Sequence, residues 1–194
     1  MRAFREQIIC LQGRSFQPRL AGRNNLAQAR KPWVTKINTS SPGRATLMSH
    51  SFAQNQIHLV FSTKQRRDLI ATEIQPKLWA YIAAIGRNHG MYVLAVGGIS
   101  NHAHVLFRLP ASLALAKAIL LLKSNSSKWM NEHRKQFAWQ EGYGAFSVST
   151  SNLHVVTRYI QNQEAHHKKF SFEEEYLTLL KKNGAEFDPK YALG

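Results

Sequence analysis

At 194 residues and 22.1 kDa, the chain is long enough to form one well-buried domain. Its formal net charge of +15 favours a polyanionic partner, either nucleic acid or an anionic membrane surface, although such charge can also serve solubility alone. A single cysteine, Cys10, excludes an internal disulfide and a cysteine-based zinc site, and it suits a reducing compartment. We expect a cytoplasmic location, associated with the nucleoid. The longest apolar stretch, at 112–122, contains Lys117 and is too short to span a membrane.

The amino-terminal segment differs in composition from the rest of the chain. Residues 1–47 carry nine Lys/Arg and one acidic residue, without a strand or helix period, and residues 38–47 have linker composition. We predict a basic, poorly ordered extension over residues 1–49, followed by one domain over residues 50–194. A DNA-binding arm is the alternative for the extension.

From residue 50 onward, strands alternate with helices. Hydrophobic periodicity, together with polar and glycine residues at the segment ends, predicts the secondary structure. The strands are expected at 56–62, 91–98, 102–109 and 144–149, of which the second and third form a hairpin. The helices are expected at 73–90, 112–134, 153–169 and 172–182. The order βαββαβ predicts an α+β fold: a ferredoxin-like antiparallel sheet with helices on one face, plus carboxy-terminal helices.

Two short motifs point to chemistry. In the strand at 102–109, His102 and His104 share one face, because successive strand residues point to opposite sides, so they are placed to bind one metal ion. In the helix at 153–169, Tyr159 and Gln163 share one face, and a carboxamide oxygen is a plausible third ligand beside the phenol. Each motif alone is more often an ordinary surface feature. The two motifs together, in a strongly basic chain, favour a functional site.

With these motifs in their order, the sequence resembles the one-tyrosine HUH transposases of insertion sequences that move as single-stranded DNA. The name denotes His-hydrophobe-His, matched by His102-Ala103-His104, and the Tyr-x3-Gln helix is matched by Tyr159 and Gln163. The segments HLVFSTKQRR, FAWQEGYGAFSVS and NQEAHHKKFSFEEEYLTLLKKNG extend the resemblance over about residues 50–192. The small Ala103 departs mildly from the usual bulky aliphatic residue.

The resemblance implies a transposase that cleaves and rejoins single-stranded DNA, often with hairpins, at insertion-sequence ends. It implies Tyr159 as the nucleophile that forms a 5′-phosphotyrosine intermediate, and His102, His104 and Gln163 as ligands of a divalent metal, magnesium or manganese. It also implies a homodimer whose active site can be completed by the tyrosine helix of the partner subunit. A domesticated REP-associated relative that processes repeat hairpins, a non-catalytic nucleic-acid-binding module and a metal-dependent hydrolase are the alternatives.

Basic and aromatic side chains suggest where DNA binds. A groove that follows the backbone of a single strand combines cations with stacking aromatics. The candidates are Lys64, Arg66, Arg67, Arg108, Lys123, Lys128 and Trp129.

The remaining polar residues of the carboxy-terminal half are less informative. His166 and His167 are expected either near the metal or phosphate or simply exposed, and His58 and His154 are assigned no role. The three acids of FEEEYLTLL predict a solvated helix face. With a metal ion beside the tyrosine, no carboxylate base is required there. Tyr176 is the rival nucleophile, but no glutamine or histidine follows it at a matching interval.

Overall fold

The computed structural model describes residues 53–188, so the predicted extension at 1–49 lies outside the described residues. The strands are β1 (Asn55–Ser62), β2 (Tyr92–Ile99), β3 (His102–Leu109) and β4 (Gly144–Ser147). The helices are α1 (Gln75–Asn88), α2 (Leu115–His133), α3 (Leu153–Gln161), α4 (Gln163–His167) and α5 (Phe172–Lys182). Each predicted element is present with ends shifted by at most a few residues, except that the helix predicted at 153–169 is divided into α3 and α4. None of the helices in this described part is long and apolar enough to cross a membrane.

The four strands form one antiparallel sheet in the order β4-β1-β3-β2. This order places the first and third strands side by side at the centre, as in a ferredoxin-like fold. In the central pair, Val60 lies opposite His104 and Ser62 lies opposite His102. The predicted ferredoxin-like α+β fold is confirmed.

One face of the sheet is a continuous apolar core. Alternate residues of the central strands point to this side: Ile57, Leu59, Phe61, Ala103, Val105 and Phe107. They pack against Leu78 and Ile82 of α1 and against Ile119 and Leu122 of α2, all of them buried. We call this side the apolar face. It holds the main hydrophobic cluster, whose burial supplies the driving force for folding.

The other face carries histidines among its apolar residues. The intervening positions of the central strands are His58, Val60, His102, His104 and Leu106, and all five are buried. The helices α3, α4 and α5 cover this side through Ile160, Gln163 and Phe172. We call it the histidine face. On this face, two small apolar clusters lie on either side of the buried histidines.

A glycine lets α3 approach the sheet closely. Gly97 belongs to β2 and pairs with His104 of β3. A Cβ atom at this position would collide with the backbone carbonyl oxygen of Ile160. Because the obstacle is backbone and not a flexible side chain, any larger residue would displace the helix. Gly97 therefore sets the distance between the sheet and Tyr159, the neighbour of Ile160.

The helix α5 begins with a complete capping box. The Ser171 side chain accepts from the backbone N–H of Glu174, and the Glu174 side chain accepts from the backbone N–H of Ser171. Phe172, the first residue of the helix, stacks on the His102 ring with centroids 4.6 Å apart. Residues three apart on a helix share a face, so Glu175 points to the same side as Phe172.

Candidate active site

Two histidines near the start of β3 lie on the histidine face. His102 and His104 are both 0% exposed, and their ring centroids are 4.9 Å apart. Because β3 pairs with β1 on one side and β2 on the other, hydrogen bonds on both sides fix its backbone. The two imidazoles are therefore held in place by the rigid centre of the sheet.

The tyrosine and the glutamine approach these histidines within the same chain. The predicted single helix is interrupted at Asn162, which separates α3 from α4. Gln163 Oε1 nevertheless lies 3.0 Å from His102 Nε2, and the ring centroids of Tyr159 and His104 are 5.8 Å apart. One subunit thus brings the four predicted side chains together, whereas the homodimer stays a prediction.

The structure adds a carboxylate to this group. Glu175 is 4% exposed, whereas Glu173 and Glu174 face solvent. Its Oε1 atom accepts hydrogen bonds from the Tyr159 hydroxyl and, at 2.8 Å, from Gln163 Nε2. The prediction of a solvated acidic face is therefore wrong at this position, because the packing of α5 turns the third acid inward beside the tyrosine.

Three of the imidazoles on this face form a hydrogen bond through Nδ1, which leaves their Nε2 atoms for other contacts. These contacts are His102 Nδ1 to Asn101 Oδ1 at 2.8 Å, His104 Nδ1 to His58 Nε2 at 3.0 Å, and His167 Nδ1 to the Phe170 carbonyl oxygen at 2.8 Å. A neutral imidazole has a single N–H, so a proton on Nδ1 leaves a lone pair on Nε2. Metal-binding histidines are commonly oriented by such a contact through the other nitrogen. His58, which was assigned no role, thus orients His104, whereas His154 is exposed.

The Nε2 atoms of these imidazoles converge on two oxygen atoms. Gln163 Oε1 is 3.0 Å from Nε2 of both His102 and His167. Glu175 Oε2 is 3.2 Å from Nε2 of His167, 3.4 Å from that of His104 and 3.6 Å from that of His102. Neighbouring ligand atoms are about 3.0–3.5 Å apart when metal–ligand bonds are about 2.0–2.2 Å long. The observed spacing fits one small divalent ion.

The protonation states agree with this arrangement. Burial, and then the neighbouring His104, lowers the pKa of His102 to about 3, so that imidazole is neutral. Burial works to raise the pKa of Glu175, but the facing His104 and His167 more than offset it and hold the pKa below its ordinary value. Burial also works to lower the pKa of His167, and the hydrogen bond and charge of Glu175 reverse the shift. An ionised carboxylate buried among imidazoles is stabilised by a nearby cation.

Unpartnered atoms mark the same place. Within residues 53–188, His104 Nε2, His166 Nε2 and Glu175 Oε2 are buried and have no hydrogen-bond partner. Two overlapping groups in this part of the chain have the composition and spacing to hold a metal: His102, His104 and Glu175, and His166, His167 and Glu175. Buried polar atoms normally have partners, and an ion would supply one. The side chains therefore fit a divalent metal.

The tyrosine is protonated in this arrangement. Burial, and then the charge of Glu175, raises the pKa of the Tyr159 phenol above its ordinary value. Its hydroxyl donates to the Glu175 carboxylate, which leaves the lone pairs of the phenol oxygen available to another atom. The ring also packs edge-on against His166, with centroids 5.3 Å apart.

Comparison with known families decides the assignment. A family model described as "Transposase IS200 like" matches residues 51–163, more than half of the chain. The chain belongs to the IS200-like transposase family. The matched range of this transposase contains His102, His104, Tyr159 and Gln163, and it ends before α5.

Two solved structures are similar to the transposase. A protein from Deinococcus radiodurans R1 assigned as a transposase is 22% identical, with a TM-score of 0.49, and the match covers 64% of this chain and 98% of the other. The REP-associated tyrosine transposase bound to a REP hairpin is 15% identical, with a TM-score of 0.48, and the match covers 66% of this chain and 74% of the other. No curated protein matches the transposase.

Three of the candidate DNA-binding residues lie just after β1, beside the start of β3 where His102 is located. Lys64 and Arg66 belong to a short 3-10 turn just after β1, and Arg67 follows it. This end of β1 pairs with β3 where Ser62 lies opposite His102. Lys64 and Arg67 are exposed, so their charges are available next to the candidate site.

The other four candidates are not brought together with the histidines. Arg108 lies six residues beyond His102, about 20 Å along the strand, and its guanidinium lies 4.8 Å from the centre of the Tyr92 ring. Lys128 and Trp129 belong to α2, which covers the apolar face. The role of these residues in DNA binding stays a prediction.

The fourth of these candidates, Lys123, is engaged within the fold. Its ammonium group donates to the carbonyl oxygens of Gln140, Glu141 and Gly142 at 2.6, 2.9 and 3.1 Å. An ammonium group has three N–H donors, so all of them are used by the loop before β4. Lys123 therefore has no N–H donor left for a phosphate in this structure.

Proposed function

We propose that this transposase cleaves and rejoins single-stranded DNA at insertion-sequence ends through a covalent 5′-phosphotyrosine on Tyr159, with the help of a divalent metal. One observation carries the proposal: the Tyr159 hydroxyl reaches the buried cluster that contains His102, His104 and Gln163 within a single subunit. A tyrosine without a neighbouring metal site would remain a poor nucleophile at neutral pH, because the ordinary pKa of a phenol is near 10.

The metal would be held by His102, His104 and Gln163, as the resemblance implies. When bound, a divalent ion polarises the scissile phosphate and stabilises the charge that develops in the transition state. Abundance favours magnesium, and two imidazole ligands favour manganese or a later metal. We therefore propose magnesium, with manganese able to substitute.

In the proposed cleavage step, Tyr159 attacks a phosphodiester of the DNA strand. The oxygen of Tyr159 forms a bond to phosphorus as the bond from phosphorus to the 3′ oxygen breaks. The phenol loses its proton and the leaving 3′ oxygen gains one, so the products are a 5′-phosphotyrosine and a free 3′ hydroxyl. The covalent bond conserves the energy of the phosphodiester. Attack by another 3′ hydroxyl therefore joins new ends without ATP.

The DNA strand would reach the site past Lys64, Arg66 and Arg67. These cations lie just after β1, beside the start of β3. Arg66 also forms a salt bridge with Glu173 of α5 at 3.0 Å, so the exposed Lys64 and Arg67 are the main candidates to neutralise phosphates next to the tyrosine. Contacts to phosphates make affinity depend steeply on salt. We propose single-stranded DNA, with hairpins, as the substrate and a homodimer as the working assembly.

Replacing the nucleophile tests the proposal. The full chain is incubated with labelled single-stranded DNA from the ends of an insertion sequence and Mn2+, and the products are separated on a denaturing gel. The Tyr159→Phe protein is expected to form no covalent adduct. The matched control is Tyr176→Phe on α5, which removes the rival hydroxyl and is expected to keep the adduct. An adduct that survives in Tyr159→Phe contradicts the proposal.

A further inference from the structure

The Glu175 side chain holds the most unusual position among the acids of residues 53–188. It is a carboxylate buried in the candidate active site, yet it comes from α5, beyond the segment that matches the family model. Four histidine Nε2 atoms, those of His102, His104, His166 and His167, lie 3.2–3.6 Å from its oxygens. A carboxylate placed among so many nitrogen ligands needs a physical explanation.

The two oxygens of Glu175 face different partners. The Oε1 atom accepts from the Tyr159 hydroxyl and from Gln163 Nε2. The Oε2 atom has no hydrogen-bond partner among the described residues and is close to Nε2 of His104 and His167. One oxygen is thus used by the nucleophile, and the other points toward the centre of the proposed metal ligands.

We propose that Glu175 links the metal to the nucleophile: Oε2 is a ligand of the divalent ion, and Oε1 orients the phenol of Tyr159. This inference rests on the proposed function and adds a ligand that the Tyr-Gln and His-x-His motifs do not contain. Because the phenol donates to Oε1, the lone pairs of its oxygen are free to attack phosphorus. The link would keep the reacting oxygen at a fixed distance from the metal.

The packing of α5 supports a built site rather than an accidental contact. The capping box fixes where the helix begins. Phe172 stacks on His102 one turn before Glu175, and Leu180 packs with Val60 and Phe146 one to two turns after it. The helix is thus anchored on both sides of the carboxylate. A hard divalent cation prefers oxygen ligands, and an anionic oxygen among the ligands strengthens its binding.

Metal binding of the full chain tests the ligand role. The metal-free protein is titrated with Mn2+, and free Mn2+ is measured by electron paramagnetic resonance. Loss of an oriented group near a metal typically costs about 10–100-fold in affinity, so we expect Glu175→Gln to weaken Mn2+ binding by at least about tenfold. Glu175→Asp, which keeps the carboxylate, should restore part of the affinity. The control is Glu164→Gln, which removes an exposed charge next to Gln163 and should leave the affinity unchanged.

Folding is checked in the same proteins by thermal unfolding with and without Mn2+. Ligand binding to the native state raises the unfolding temperature. Mn2+ should raise it in the wild-type and Glu164→Gln proteins, and much less in Glu175→Gln. Wild-type Mn2+ affinity in a folded Glu175→Gln protein overturns the ligand role. If that protein also forms the DNA adduct faster than wild type, the carboxylate blocks the site instead.

The orienting role has its own measurement. At saturating Mn2+, single-turnover adduct formation by Glu175→Ala, which removes the oxygen that accepts from the Tyr159 hydroxyl, should remain at least about tenfold slower than that of the wild type, since misplacement by about 1 Å can cost 10²-fold. A wild-type rate at saturating Mn2+ overturns this role. The result is distinguishable from failure of the proposed function, because in that case His104→Ala would also bind Mn2+ normally and wild type would form no adduct.

Discussion

The two faces of the sheet are formed by the same strands but differ in composition: one is an apolar core and the other holds a buried polar cluster. On the apolar face, Leu59 and Phe107 are buried among other apolar side chains of the main core. On the histidine face, neighbouring positions of the same strands place His58 and His104 in a buried polar cluster. The strand period of two separates these sets completely. One face stabilises the fold, and the other uses the rigidity that the first provides.

Burial therefore has opposite meanings on the two sides. A buried phenylalanine contributes through removal of apolar surface from water. A buried histidine or carboxylate costs free energy unless a partner compensates it. In the histidine cluster, three buried polar atoms have no hydrogen-bond partner among the described residues. Side chains in such positions are expected to serve chemistry and not stability.

Paired alanine substitutions on opposite sides of β3 give the largest expected difference. Phe107→Ala should lower the free energy of unfolding by about 3–5 kcal/mol, because it empties part of the main core. His104→Ala should cost about 1–2 kcal/mol in the absence of metal, mainly through the lost contact with His58. Urea unfolding in the presence of EDTA measures both values.

Added metal should stabilise the Phe107→Ala protein but not the His104→Ala protein. Mn2+ at a hundredfold excess over its dissociation constant adds about 2.7 kcal/mol to the stability of a protein that binds it. The Phe107→Ala protein should keep this gain if it remains folded, and His104→Ala should lose it. Equal gains in both proteins would show that the histidine face is not the metal site.

The difference between the faces also explains what the sequence could predict. Alternation, helical period and glycine stops predicted the elements and the fold, because they reflect burial along each segment. The His-x-His and Tyr-x3-Gln spacings predicted the four side chains that meet. Glu175 was missed because nothing in FEEEYLTLL distinguishes its third acid from the two exposed ones. Only the docking of α5 makes that distinction.

Some of the missed features did leave a signal. In a ferredoxin-like order, the first and third strands are neighbours, so His58 could have been placed on the face of His104 from the strand pattern alone. The break at Asn162 left none, because Tyr159 to Gln163 has the spacing of an uninterrupted helix. The DNA-binding role predicted for the basic residues of α2 stays a prediction, and the fold adds only that this helix covers the apolar face. Charge does not show which side of a sheet a helix covers.

The close approach at Gly97 gives the next largest effect. Gly97→Ala should displace α3 and lower the rate of adduct formation by up to about hundredfold, since a shift of about 1 Å is enough. Mn2+ binding through the β3 histidines should be largely retained. The matched control is Gly142→Ala, where an added Cβ meets nothing within 4 Å. A normal rate in Gly97→Ala would show that the position of α3 does not control the chemistry.

The smallest effect concerns DNA binding and compares cations on the two sides. Arg67→Gln should reduce affinity for single-stranded DNA a few-fold and lower the slope of log affinity against log salt by about 1. Lys128→Gln, on the helix that covers the apolar face, should change neither quantity. Fluorescence anisotropy over a range of salt concentrations measures both. A loss with Lys128→Gln equal to that with Arg67→Gln would place the DNA across both faces.

The most direct test of the functional account is to locate the covalent bond. Wild-type protein is incubated with single-stranded DNA and Mn2+, digested with nuclease and protease, and analysed by mass spectrometry. We predict one nucleotide-modified peptide, containing Tyr159, and its absence when EDTA replaces Mn2+. A modification on another residue, or the same yield without metal, would contradict the assignment of the histidine face as a metal-dependent tyrosine site.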